Sequence, residues 1–151
     1  MLAGPAAAVD VTSRATIFPG PYEGRVVRVI DGDTVAVRVA VWPGMSAETR
    51  VRIRGIDAPE THRPDCDAER AWGEAATEWV ARRYPEGAPV RLAQVSFGSF
   101  AGRVVAGLSR RDGEDWIALA DELIAADLAV AWEPGDDRPD WCAMAEAGGA
   151  P

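Results

Sequence analysis

The sequence predicts an α+β domain, mainly β, in which one amphipathic helix separates two groups of strands. Three observations carry that prediction. Residues 34–41, TVAVRVAV, alternate with a period of two, and so does TRVRIRGI at 49–56. Residues 65–83 instead place Ala68, Ala71, Trp72, Ala75, Ala76, Trp79 and Val80 at spacings of three and four, which is one helix face. Two further strand-like runs follow at 89–96 and 102–109. The resulting order is compatible with a five-stranded Greek-key barrel of the OB type carrying two to three helices. Other small α+β arrangements fit it too.

The elements can be justified in chain order. Residues 1–21 show no sustained period and end on Phe18-Pro19-Gly20-Pro21, a strong breaker, so they are expected to be an N-terminal arm or tail. The main domain spans 22–133. Its first strand covers 24–30, with Val26, Val27, Val29 and Ile30. The stretch IDGDT at 30–34 is a hairpin signal, since Asp-Gly between alternating runs favours a tight turn. The second strand aligns Val35, Val37, Val39 and Val41 on one face, and WPGMSAE reads as a loop. The third strand sends Val51 and Ile53 one way and Arg50, Arg52 and Arg54 the other, which completes a meander. Asp65 can cap the helix, and Pro85 with Gly87 ends it. Beyond a turn at Asp112-Gly113, residues 116–126 read as a short helix and LAVAW as an extended piece. Residues 134–151 read as a C-terminal tail with one helical turn near Trp141. Trp72 and Trp79 are core residues by spacing. Trp132 suits either the core or a base-stacking face.

At 151 residues, one domain is the default. No run approaches the roughly 18 apolar residues of a membrane span. The net charge of −8 opposes a simple basic surface for nucleic acid. All the strongly basic residues are arginine, however, and the guanidinium is a planar fork suited to phosphate. Cys66 and Cys142 lack zinc-site spacing, which leaves two free thiols or one disulfide. A bridge would suit an exported protein, but no intact signal peptide is visible before the domain, so localisation stays open. A monomer is expected.

Several residues invite chemistry. Asp31 and Asp33 flank Gly32. RVRIRGIDAPE at 50–60 ends a strand and delivers Asp57 and Glu60 around Pro59, whose ring holds the local backbone. In AGRVV at 101–105, Gly102 precedes Arg103 where a strand begins, so a backbone could approach closely there. Each feature alone has an ordinary reading: a turn, a solvated loop acid, a solvated strand face, a surface ion pair. His62, the only histidine, follows in a loop and reads as solvated.

Taken in order, VIDGDTV, RVRIRGIDAPE and GRVVA, with a helix between the second and third, resemble the staphylococcal nuclease (thermonuclease-like) family over residues 22–133. The resemblance implies an OB-type barrel that hydrolyses phosphodiesters of DNA and/or RNA with Ca²⁺ and low sequence specificity. Carried over residue by residue, it makes Asp33 and Asp57 metal ligands, with the backbone carbonyl of Ala58 beside them. It makes Glu60 the catalytic acid, and Arg52 and Arg103 the phosphate-binding arginines. These types suit the chemistry. Ca²⁺ is a hard cation that takes oxygen ligands, a carboxylate can orient or deprotonate water, and guanidinium forks grip phosphate. Where the best-known member has threonine this chain has Ala58, and GSFAG before Arg103 lacks that member's polar run. The alternative function is a non-catalytic OB-type module binding nucleic acid or a protein partner. Such a module has no need of all five charged residues together.

Overall fold

Valine-rich alternation brings the first three strands together, because each exposes an apolar face that only a neighbour can cover. The computed structural model describes residues 10–149, so residues 1–9 of the expected arm and the last two of the tail lie outside the described residues. Strands β1 (Tyr22–Asp31), β2 (Thr34–Trp42) and β3 (Met45–Ile53) form an antiparallel meander. A two-residue strand β4 (Ile56–Asp57) follows, then helix α1 (Asp67–Arg83). Next come β5 (Pro89–Phe97) and β6 (Arg103–Asp112), an antiparallel pair. β5 pairs back onto β1, and β6 runs parallel to β3, with Val51 beside Val104 and Ile53 beside Ala106. The ring β1-β2-β3-β6-β5 is therefore closed, a five-stranded OB-like barrel. Closure leaves no ring strand with an unpaired edge to manage.

The chain continues through β7 (Asp115–Ala118), which extends the sheet from β6, to helix α2 (Leu119–Ala125). Strand β8 (Val130–Ala131) pairs with β4, and helix α3 (Trp141–Glu146) completes the described residues. Val35, Val37, Val51, Ile53, Val90, Leu92 and Leu108 fill the barrel, each at most 2% exposed. Burial of one such side chain contributes about 1.5–3 kcal/mol. Trp72, Ala76 and Val80 of α1 extend this core. Arg110 of β6 holds α2 through Glu122, whose Oε2 also accepts from the Tyr84 hydroxyl.

Four expectations change. WPGMSAE is not a loop: a two-residue turn at Pro43-Gly44, with Gly44 at φ 80°, lets Met45–Glu48 pair with β2. That hairpin tip projects past the barrel, so Val41 is 60% exposed although its period places it with Val35 and Val37. Residues 116–118 belong to β7, and the helix begins only at Leu119. Helix α1 is capped by Cys66, whose Sγ accepts the Glu69 N–H, and not by Asp65. On its buried stripe Ala68 and Ala71 are exposed, while Glu69 is buried. Short alanines gain little from burial, whereas Glu69 has two hydrogen-bond donors to satisfy inside.

Candidate functional site

Two loops meet on the N-terminal half of α1, and two glycines let them lie close. A Cβ on Gly32 would stand 2.8 Å from Ala76 Cβ and 3.2 Å from Ala58 Cβ. A Cβ on Gly73 would stand 2.7 Å from the Pro59 carbonyl oxygen. The β1–β2 turn and the 57–61 segment therefore share one surface. Asp31 shapes that turn: its Oδ1 accepts the Asp33 N–H at 3.3 Å. Asp33 then points inward, only 9% exposed. Its Oδ2 accepts the Ala58 N–H at 3.1 Å and its Oδ1 accepts the Thr34 hydroxyl at 3.0 Å. Asp57 sits on β4, braced by its pairing with Val130.

Glu60 lies in the loop that follows. Its Oε1 accepts the His62 N–H at 2.8 Å. Its own N–H is held by Glu69 Oε1 at 3.1 Å, and Glu69 Oε2 takes the Asp65 N–H at 2.7 Å. Glu69 is 3% exposed, so a buried carboxylate on the helix fixes both ends of the Glu60 loop.

The three alternating arginines of β3 and its extension have different environments. Arg50 is exposed. Arg54 donates to the carbonyls of Gln94 and Val105 and to Ser96 Oγ, which ties down the irregular stretch of β5. Of the three, Arg52 reaches the aspartates: Nη1 contacts Asp33 Oδ2, and Nη2 donates to Asp57 Oδ1 at 3.0 Å. Arg103 starts β6 beside it, with its guanidinium 5.1 Å from the Phe100 ring centre. The glycine that permits close approach there is Gly98, whose Cβ would stand 2.5 Å from the Arg103 carbonyl oxygen. Gly102 has open space and instead takes φ 77° in the turn.

Asp33, Arg52, Asp57, Ala58, Glu60 and Arg103 thus line one cleft of about 500 Å³. Three buried nitrogens in it make no hydrogen bond among the described residues: Arg52 Nη1, which lies against the Asp33 carboxylate, Arg103 Nε and the Trp132 indole N–H; the last two have no partner at all. Buried donors are nearly always satisfied in a native protein, so water or a bound group completes these two.

The electrostatics of the acids diverge. Burial pushes the Asp33 carboxyl up to about 6, against the pull of Arg52. Burial also raises Asp57, opposed by the Trp141 indole N–H and by Arg52. Glu60 moves the other way: the His62 N–H on its carboxylate holds it below the usual range, so it is ionised at neutral pH.

The donor set suits a hard cation in kind, since Asp33, Asp57 and the Ala58 carbonyl present only oxygen. Both aspartates already converge on one positive group, the Arg52 guanidinium, which shows that they face a common point. Among the described residues, no group of three or more His, Cys, Asp or Glu side chains gathers to hold a metal. Arg52 occupies the point on which Asp33 and Asp57 converge.

Sequence reasoning missed five contributors. Glu69 was legible in principle, as a lone acid on the stripe Trp72-Gly73-Ala76-Val80. Gly32 and Gly73 carried no signal of close packing. Trp141 and Arg138 lie in the segment read as tail, yet Trp141 is 3% exposed and its Nε1 donates to Asp57 Oδ2 at 3.1 Å, while Arg138 lines the cleft. The distant cysteines are joined as a Cys66–Cys142 disulfide. His62 is exposed, as expected.

No family model matches the chain. Over 95 residues the chain is 33% identical to the endonuclease YhcR of Bacillus subtilis (strain 168). The match covers 57% of this chain and 8% of that protein. The chain thus spans less than a tenth of the curated relative it matches, and it is similar in part to a protein named as an endonuclease.

Proposed function

We propose that this protein is a Ca²⁺-dependent nuclease that hydrolyses phosphodiesters of DNA and/or RNA with low sequence specificity. The observation that carries the reading is the cleft itself. Two converging carboxylates, an ionised glutamate and two arginines share it, together with donors on Arg103 and Trp132 that have no partner among the described residues. The partial similarity to an endonuclease supports the same reading.

In this mechanism Asp33, Asp57 and the Ala58 carbonyl hold the cation. Bound Ca²⁺ supplies Lewis-acid polarisation of a phosphoryl oxygen. Arg52 and Arg103 grip the phosphate through charge-assisted forks and stabilise charge that grows in the transition state. Arg103 Nε and the Trp132 N–H each gain an acceptor when phosphate or sugar oxygen enters. Glu60, held as carboxylate by its loop, accepts a proton from the attacking water.

The test is a Ca²⁺ titration of the purified protein with single-stranded DNA, duplex DNA and RNA. Hydrolysis that depends on Ca²⁺ is expected. Glu60→Gln and Arg103→Ala are each expected to lose at least about 100-fold, the scale of a missing transition-state donor. Protein inert on all three substrates at every Ca²⁺ concentration refutes the enzyme reading. Retained binding in that case identifies the non-catalytic module.

A further inference from the structure

We propose that the C-terminal segment is a working part of the metal site: pinned by the Cys66–Cys142 disulfide, it places the Trp141 indole N–H on Asp57 and so fixes that carboxylate for the cation. The inference rests on the metal reading above and assigns Trp141 as a positioning residue within it.

The contacts form a short chain. Trp141 Nε1 donates to Asp57 Oδ2, while Asp57 Oδ1 faces Arg52, so each oxygen has a set direction. The Trp141 ring packs edge-to-face on Trp72 of α1, with centroids 5.0 Å apart. The next residue, Cys142, is bonded to Cys66. Cys66 in turn caps α1, the helix on which both site loops rest. Helix α3 has only six residues and cannot persist on its own. Tertiary anchors must place it, and the bridge and the buried indole are those anchors. An outer hydrogen bond that orients a ligating carboxylate is worth about 10–100-fold in metal affinity.

The groups facing Asp57 account for a specific role. Trp141 is the neutral donor there, and Arg52 and Arg138 are the cationic neighbours. Arg52 has other work at the phosphate. Only the indole can hold the carboxylate without competing as a charge with the metal.

The experiment uses the full chain in its oxidised form. Trp141→Phe keeps a ring against Trp72 and removes the N–H. Cys66→Ser breaks the bridge and keeps an oxygen able to cap α1. Tyr84→Phe removes a hydrogen bond to Glu122 of α2 and touches no residue of the contact chain. Two readouts are taken at a temperature where circular dichroism shows each variant folded. They are Ca²⁺ affinity by calorimetry and, without metal, solvent-exchange protection of the Trp141 indole N–H by NMR.

Trp141→Phe is expected to weaken Ca²⁺ binding about tenfold. Cys66→Ser is expected to lower indole protection and to weaken Ca²⁺ binding in the same direction, with less than additive effect in the double variant. Tyr84→Phe is expected to lower Tm and leave affinity within twofold. Native-like affinity in Trp141→Phe overturns the positioning role, as does an equal affinity loss in Tyr84→Phe. An indole that exchanges freely in the oxidised native protein overturns the geometry. Native protein that binds no Ca²⁺ overturns the metal reading itself, whatever the indole shows.

Discussion

Glu69→Ala is the perturbation whose cost follows most directly from the geometry. The buried carboxylate accepts the Glu60 N–H at 3.1 Å and the Asp65 N–H at 2.7 Å. A hydrogen bond to a charged group contributes about 1.5–3 kcal/mol. Truncation removes both, leaves two donors facing a void, and gives up a favourable charge in the first turn of α1. The expected loss is about 3–5 kcal/mol, or roughly 10 °C in Tm for a chain of this length. Glu69→Gln keeps one acceptor but sets an amide donor against a backbone donor, so about 2–3 kcal/mol is expected. Urea unfolding measures the stability, and amide exchange at Glu60 and Asp65 measures the local effect. Both amides should lose protection well before the barrel amides of β2. A Glu69→Ala protein within about 0.5 kcal/mol of native, or one with both amides still protected, refutes the argument that this carboxylate holds the loop.

Four further outcomes are expected. Asp33 is raised to about 6 in the metal-free protein and must be ionised to bind a cation, so Ca²⁺ affinity measured by calorimetry should fall about tenfold per pH unit below 6. For stability the sign is the reverse: the native state holds this proton more tightly than the unfolded chain. Asp33 alone therefore makes metal-free protein more stable as pH falls from about 6 towards 4, and Asp33→Asn should abolish that contribution in pH-dependent urea midpoints. Gly32→Ala should cost about 1–3 kcal/mol by overpacking against Ala76, and Ala76→Gly in the same chain should recover part of it in a double-mutant cycle. Reduction of the disulfide, whose cysteines lie 76 residues apart, should lower unfolding free energy by about 4 kcal/mol in urea with and without reductant.

Much of the barrel could be read from the chain because its strands carry their own period. Val35, Val37, Val51 and Ile53 alternate, and all four are buried. The reading failed where exposure and pairing separate. Met45–Glu48 pair with β2 although every side chain is exposed, so hydropathy gave no strand. Residues 116–118 failed for a related reason, because three residues cannot display a period of either kind. At the site, the six residues singled out by motif line one cleft. What could not be read was which contacts each makes. Arg50, Arg52 and Arg54 are alike in sequence, and only Arg52 reaches the aspartates, since Arg54 is consumed by carbonyls of β5 and β6.

The residue types and their order along the chain were determined by the sequence, because short-range geometry is local: a Gly-Asp turn, a proline between two acids, a period of two or of 3.6. The tertiary structure decided everything that depends on groups far apart meeting. It joined Cys66 to Cys142, set Trp141 on Asp57 across 84 residues, and left Arg103 Nε and the Trp132 N–H buried without partners among the described residues. Burial and the absence of a partner are properties of the assembled interior, and no local pattern encodes them.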